Sequence, residues 1–300
     1  MEPNLVILAG GISSRMKKPG TQGLNPRLAS DADAKSKSMI GLGPGNRPFL
    51  DYLLFNAREA GYRDVVIVVG EKDNSIRSYY GAEDRKNQVD GLLISYAVQP
   101  IPPGRTKPLG TADALLHGLK ARHDWQGQHV TVCNSDNLYS QSVLRRLREE
   151  PSGCAMIDYD RDALAFPADR VAAYAVTVKD SRGTLVEIIE KPSAEDMERS
   201  RDSAGKIGVS MNIWRFPYDW ILPCLEEVPL HPVRQEKELP AAAIMLQKRH
   251  PGSLRAIPAA EHVLDLTNRD DIVEVQDHLA RAYPDFSFGS KMRAFRRPGL

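Results

Sequence analysis

Several short segments of this chain combine residue types suited to holding phosphates and a hard cation. In Leu8-Ala9-Gly10-Gly11-Ile12-Ser13-Ser14-Arg15-Met16, an apolar run ends in two glycines. With no side chain in the way, backbone N–H groups can approach phosphate oxygens. Arg15 can then neutralise those oxygens through charge-assisted hydrogen bonds. Lys17, Lys18, Lys35 and Lys37 follow, so a basic loop adjoins the glycines. An ordinary strand-to-loop turn with a solvated charged face accounts for the segment equally well. It has neither the Gly-x-Gly-x-x-Gly spacing of a dinucleotide fingerprint nor the Gly-Lys-Ser/Thr of a P-loop.

A second segment pairs Gln99 with Pro108-Leu109-Gly110-Thr111-Ala112-Asp113-Ala114. Gly110 and Thr111 open a predicted helix whose first amides can meet a ligand. The Gln99 amide can read a base edge with its donor and acceptor. Alone, a capped helix and an exposed strand end are the simpler account. Asp136, in Val132-Cys133-Asn134-Ser135-Asp136-Asn137, follows a buried run. Ligands bind at such strand ends in open sheets, and a carboxylate suits a hard divalent cation; a turn cap is the alternative. Asp265, in Val263-Leu264-Asp265-Leu266-Thr267, is a further carboxylate on a short apolar run and by itself reads as a cap. Glu190 and Lys191 end Ile188-Ile189-Glu190-Lys191-Pro192, where the proline stops the strand. Glu190 can accept from hydroxyls and Lys191 can pair with a phosphate, although a surface salt-bridge edge explains them more simply.

The elements that must position these residues alternate. Apolar runs at 5–9, 65–69, 92–98 and 130–133 predict buried strands. Helical spacing falls at 48–60 (stopped by Gly61), 75–80, 111–122 and 141–149. Residues 12–46 are rich in Gly, Pro, Ser, Asp and Lys and read as one long loop. The alternation argues for a parallel sheet with helices on both faces. The second half reads as strands at 155–159, 172–178, 185–189 and 207–216, with 254–257 and 262–266 as further candidates. Residues 193–200 read as a surface loop or short exposed helix. Helices are predicted at 217–225, 239–247 and 268–282, the last with Asn268 as N-cap. Beyond it lies a basic, aromatic tail with Phe286, Phe288, Phe295 and Arg296, suited to packing on the core or on another subunit.

Composition narrows the field. With 300 residues, 42% of them hydrophobic, the chain can bury one large core. Its net charge of +1 supplies no global basic field for nucleic acid. No apolar run approaches the ~20 residues of a membrane span. The start Met1-Glu2-Pro3-Asn4 lacks the basic region and cleavage site of a secretory signal. Cys133, Cys154 and Cys224 are scattered and read as buried reduced thiols of a cytoplasmic protein. The histidines have no metal-ligand spacing, and no hexapeptide repeat or coiled-coil heptad is present.

Taken in order, Leu-Ala-Gly-Gly…Arg, Lys-Ser-Met, Gln…Gly-Thr-Ala, Ser-Asp-Asn and Glu-Lys-Pro resemble the sugar-phosphate nucleotidyltransferases over residues 4–282. The resemblance implies a single α/β domain of the nucleotide-diphospho-sugar transferase type, Rossmann-like, with a mixed, mostly parallel central sheet. It would cover 1–282, with a nucleotide-binding half at about 1–150, an acceptor-binding half at about 151–282, and a tail at 283–300. Gly10, Gly11 and Arg15 would hold nucleotide phosphates, with Lys37 (or Lys35) beside them; Gln99, Gly110 and Thr111 would surround the nucleotide. Asp136 and Asp265 would hold Mg²⁺. Glu190, Lys191 and Asn212, the last in Gly208-Val209-Ser210-Met211-Asn212-Ile213, would bind the acceptor.

Three departures accompany the resemblance. Ser13-Ser14-Arg15-Met16 replaces Gly-Thr-Arg-Leu and also resembles cytidylyltransferases and molybdenum-cofactor guanylyltransferases, which leaves the base open. The segment 100–108, with Arg105 and Lys107, is longer than the pattern expects, and Ser210-Met211-Asn212 lacks the usual glycine. The implied reaction is attack of an acceptor phosphate, chiefly a sugar 1-phosphate, on the α-phosphorus of a nucleoside triphosphate. It needs no general base, so Arg15, Lys37 and Lys191 would act by charge and position. Phosphocholine, an isoprenoid or cofactor precursor as acceptor, or a non-catalytic regulatory protein of the same fold, remain as rivals. A homo-oligomer is compatible with all of them, and a nicotinamide-dependent dehydrogenase is disfavoured by the missing glycine fingerprint.

Overall fold

The apolar run that opens the chain forms strand β1 (Asn4–Ala9), buried throughout. These features come from a computed structural model that describes residues 2–18, 20 and 23–289. After β1 come α1 (Pro26–Ala34), β2 (Gly41–Gly43), β3 (Arg47–Pro48), α2 (Phe49–Glu59), β4 (Asp64–Gly70), α3 (Ser75–Tyr80), β5 (Asn87–Val89) and β6 (Leu92–Gln99). The middle of the chain adds α4 (Thr111–Lys120), β7 (His129–Asn134), β8 (Asn137–Leu138), α5 (Gln141–Arg148), β9 (Ala155–Asp160), α6 (Ala168–Ala172), β10 (Val176–Lys179) and β11 (Leu185–Ile189). It closes with α7 (Ala194–Arg199), β12 (Gly208–Pro217), α8 (Tyr218–Glu227), α9 (Leu239–Arg249), β13 (Arg255–Ala259), β14 (Leu264–Asp265) and α10 (Asp271–Ala282).

The main sheet runs β11-β10-β12-β7-β1-β4-β6-β5, with β9 on β12 and β13 on β9. Strands β7, β1, β4 and β6 are parallel, whereas β12 is antiparallel to β7, β9 and β10. The sheet is therefore mixed, with a parallel nucleus. Alternation along β1 splits its side chains between two cores, with Leu5 and Ile7 on one face and Val6 and Leu8 on the other. Leu53 of α2, Leu144 of α5 and Leu279 of α10 cover the first face; Leu115 of α4, Ile221 of α8 and Leu246 of α9 cover the second. Burial on both faces is why β1 and β4 are apolar at every interior position. Cys133, Cys154 and Cys224 are all free and buried. Among the described residues no helix is long and apolar enough to cross a membrane.

The structure departs from the sequence expectations in three places. The stretch 12–46 contains α1, whose N-cap Asn25 accepts from the Leu28 amide at 2.9 Å, with Pro26 in the first turn. Only Leu28 and Ala32 of α1 are buried, so helical periodicity was too thin to register, although Asn-Pro is a start signal. The strand expected at 172–178 begins only at Val176, because the chain first makes the turn of helix α6. Helix α10 starts at Asp271 rather than after Asn268. The Asp271 carboxylate instead reaches back to the amides of Thr267 and Asn268, 2.7 Å each. Residues 193–200 form α7, fastened by a capping box between Ser193 and Asp196.

Beyond α10 the chain lies across α2. Phe286 stacks on Tyr52 with centroids 4.0 Å apart, and Phe288 is fully buried, with Arg58 over its ring at 5.5 Å. Phe295 and Arg296 fall outside the described residues. Phe288→Ala should lower the unfolding free energy by about 3–5 kcal/mol, the cost of emptying an aromatic site in a core. Urea unfolding checks this, and a loss below ~1 kcal/mol would show that the segment does not hold the fold.

Candidate functional site

Chain order reverses beside β1: β4 and β6 extend the sheet to one side, while β7 returns to the other. At such a switch point the loops leaving two neighbouring strands part and open a crevice. The loop leaving β1 carries Gly10 and Gly11; the one leaving β7 carries Asp136. A cavity of about 400 Å³ opens there, lined by Gly10, Gly11, Arg15, Lys37, Gln99, Gly110, Thr111 and Asp136 among others. Eight positions singled out from the sequence thus share one space. Lys37 pairs with Asp136, whereas Lys35 pairs with Asp31 at 2.8 Å and lines a neighbouring cavity of about 380 Å³. That separates the two lysines the sequence left interchangeable.

The glycine loop is shaped by its backing. A Cβ on Gly10 would lie 2.8 Å from Gln99 Oε1, so close approach to the end of β6 excludes a side chain. Among the described residues beyond its chain neighbours, nothing lies within 4 Å of such an atom on Gly11. Gln99 is 2% exposed and its Nε2 donates to Gly110 O and to Asp113 Oδ2, 2.8 Å each. Both amide hydrogens are therefore spent inside the protein, which leaves Oε1 as the face of the amide on the Gly10 side. Gly110 has φ +106°, and a Cβ there would meet the Lys237 carbonyl at 2.6 Å. That carbonyl already accepts from the Ala112 amide at 3.0 Å, and Thr111 Oγ1 accepts from the Leu239 amide at 3.0 Å. The start of α4 is consequently bound to the segment before α9, and only part of it faces the cavity. Lys107, from the long 100–108 segment, pairs with Glu236 at 2.5 Å, and both line the cavity.

Asp265 reaches this region from far along the chain. Strand β14 pairs with β8, setting Asp265 opposite Asn137, and the Leu266 amide donates to Asp136 O at 2.8 Å. The two carboxylates thus rise from neighbouring positions of one short ladder. Burial, then the nearby charge of Asp136, push the Asp265 carboxyl above its ordinary range. Opposing that, Thr267 Oγ1 donates to its Oδ1 at 2.7 Å and Arg170 to its Oδ2 at 2.9 Å. Arg170 also pairs with Asp271 at 2.6 Å and lies over Phe166 at 4.4 Å. Burial alone would depress this guanidinium, but its bonds to Asp265 and the surrounding negative charge raise it. Asp265 is not itself among the lining residues; Thr267 is.

The remaining sequence candidates lie apart. Glu190 and Asn212 line a separate cavity of about 170 Å³ with Tyr174, Ser210 and Pro240. Asn212 has φ +54° and sits where the pairing of β12 with β9 slips between Ser210 and Trp214. Such a bulge re-aims a side chain out of the regular pleat. Glu190 pairs with Arg234 at 3.5 Å. Lys191, also at positive φ (+50°), is exposed and lines none of these three cavities. Asp113, Arg170, Glu236 and Thr267 had not been singled out. Arg170 carried a faint signal, since Phe166 and Tyr174 flank it at helical spacing; the others are recognisable only through contacts with distant segments.

This α/β fold gathers a glycine loop, basic side chains and the Asp136 carboxylate at one switch point, an arrangement suited to phosphates. The nucleotidyl transferase family model matches residues 5–219, and the chain belongs to that family. It is similar to a glucose-1-phosphate adenylyltransferase from Corynebacterium kroppenstedtii, at 24% identity over 74% of this chain and 50% of that one. It is also similar to a bifunctional protein GlmU from Pelotomaculum thermopropionicum, at 28% identity over 66% of this chain and 36% of that one. The chain spans about half, or less, of the length of the curated relatives it matches. Among solved structures, a UDP-glucose pyrophosphorylase from Acinetobacter baumannii shares the fold, with a TM-score of 0.68 and 18% identity over 98% of both chains.

Gly110→Ala should cost about 1–3 kcal/mol, because it adds a clash with Lys237 to a backbone region only glycine enters freely. Thermal unfolding with circular dichroism checks this; an unchanged melting temperature would mean that α4 and the segment before α9 are not tied here.

Proposed function

We propose that this chain is a Mg²⁺-dependent nucleotidyltransferase that joins a nucleoside triphosphate to a sugar 1-phosphate and releases pyrophosphate. The observation that carries the reading is the convergence of Gly10, Arg15, Lys37 and Asp136 on one cavity, with Asp265 beside Asp136. The family membership and the names of the relatives supply the acceptor class.

The donor set fits a hard cation. Asp136 and Asp265 offer oxygen only, as Mg²⁺ prefers, and a Mg²⁺ ion commonly takes one or two carboxylates and completes its shell with phosphate oxygens and water. Among the described residues no group of three His, Cys, Asp or Glu forms a closed cage. Bound there, the ion would supply charge neutralisation and polarisation of the α-phosphate. The chain's own residues do the rest. Backbone N–H groups at Gly10 and Gly11 cradle the phosphates, and Arg15 stabilises charge growing on the departing pyrophosphate. Gln99 presents its amide oxygen to the nucleotide. Glu190 and Asn212 bind acceptor hydroxyls in the smaller cavity, and Lys191 turns from solvent to the acceptor phosphate. The acceptor is already ionised, so no proton needs removing and the work is positioning. The protein is proposed to act in the cytoplasm, and any self-association is secondary to a site built within one chain.

Pyrophosphate release, screened with each common triphosphate against several sugar 1-phosphates and phosphocholine, tests the reading and identifies the base. Turnover only with phosphocholine would move the acceptor outside the sugars, and binding without any release would leave a regulatory protein. Asp136→Ala should lower turnover by several orders of magnitude with the fold intact, and a near-normal rate would remove the carboxylate from the reaction. Arg15→Ala should reduce turnover by roughly 10²-fold.

A further inference from the structure

The two carboxylates are each countered by a cation, but the two cations are held very differently. Arg170 is fixed. It pairs with Asp265 and Asp271, donates to Asp265 O at 3.2 Å and Tyr174 Oη at 3.2 Å, and stacks on Phe166. Among the described residues Lys37 has one ion pair, to Asp136 Oδ2, and it stands at the head of a single helical turn whose next residues, Ser38 and Met39, are buried. Its backbone is therefore anchored, and a four-carbon stem with several rotatable bonds carries its ammonium. Among the described residues, no hydrogen bond engages the other Asp136 oxygen. Lys37, Arg15 and Asp136 all face the same cavity.

We propose that Lys37 acts as an internal stand-in for the metal: it occupies the Asp136 carboxylate while no nucleotide is bound, so that the cation is admitted together with the triphosphate. This rests on the nucleotidyltransferase reading. In the nucleotide-free protein Lys37 offsets Asp136, while Arg170 is shared between Asp265 and Asp271, so Lys37 removes one of the negative charges that a lone divalent ion would meet. A triphosphate brings several negative charges within reach of Lys37. The ammonium moves from Asp136 to the phosphates, and the freed oxygen turns to the incoming ion. Because Arg170 is braced on four sides, it stays and keeps Asp265 oriented. The arrangement makes Lys37 a positioning residue in the free state and a phosphate contact in the loaded one.

The test is titration of the nucleotide-free, full-length chain with Mn²⁺, following free Mn²⁺ by electron paramagnetic resonance. Wild type and Lys37→Arg should bind weakly. Lys37→Met and Lys37→Gln should bind roughly tenfold tighter or more, the scale of one unit charge removed from a partly shielded ion pair. Adding Asp136→Asn to Lys37→Met should abolish the gain. Wild type binding Mn²⁺ as tightly as Lys37→Met, or a gain that survives Asp136→Asn, overturns the proposal and leaves the nucleotidyltransferase reading standing. Failure of that reading is seen separately, as no pyrophosphate release from any triphosphate.

Discussion

Two carboxylates held side by side repel each other, and the geometry of the site follows from how that repulsion is met. Asp136, in the turn between β7 and β8, and Asp265, in β14, lie far apart in sequence and are brought together through the β14–β8 ladder. Burial, and then the like charge of Asp136, raise the proton affinity of Asp265. Lys37 and Arg170 offset both, one from each side. Removing one partner from such a cluster leaves an uncompensated charge in a part-buried setting, so the four residues stand as a unit.

Topology decides where that unit sits. Because β7 returns to the opposite side of β1 from β4, the loops after β1 and β7 diverge and leave a crevice between them. The glycine loop and Asp136 meet there as a matter of strand order. The cavity wall then continues through Gln99 at the end of β6, locked by Gly110 and Asp113, to the segment before α9 through Lys237. Long connections at 100–108 and 231–238 join across the opening by the Lys107–Glu236 pair. The extra length of the first is thereby explained as a wall of the cavity.

The antiparallel wing serves a different end. Strand β12 pairs with β7 in its second half and with β10 in its first, and the slip against β9 turns Asn212 out of the pleat beside Glu190. A bulge at this point costs ladder bonds and yields a side chain aimed into a pocket. The smaller cavity is thus a product of the mixed sheet, which the parallel nucleus alone would lack.

Most of the parallel nucleus was legible in the residues, because strands buried on both faces must be apolar at every step, as β1 and β4 are. That the glycine pair, Arg15, Gln99 and Asp136 would face one cavity was legible as well, since the ends of neighbouring strands in an open sheet lie along one edge. Helix α1 and the late start of β10 were not, because short, charged or proline-bounded elements leave little periodicity. Sequence by itself determined which residues have the right chemistry and that strand ends would present them. Only the tertiary structure decided that Lys37 rather than Lys35 faces Asp136, that Arg170 braces Asp265, and that Lys191 stands apart from Glu190's cavity. Those are choices of partner between segments remote in the chain, set by register and packing, and no local pattern of residues encodes them.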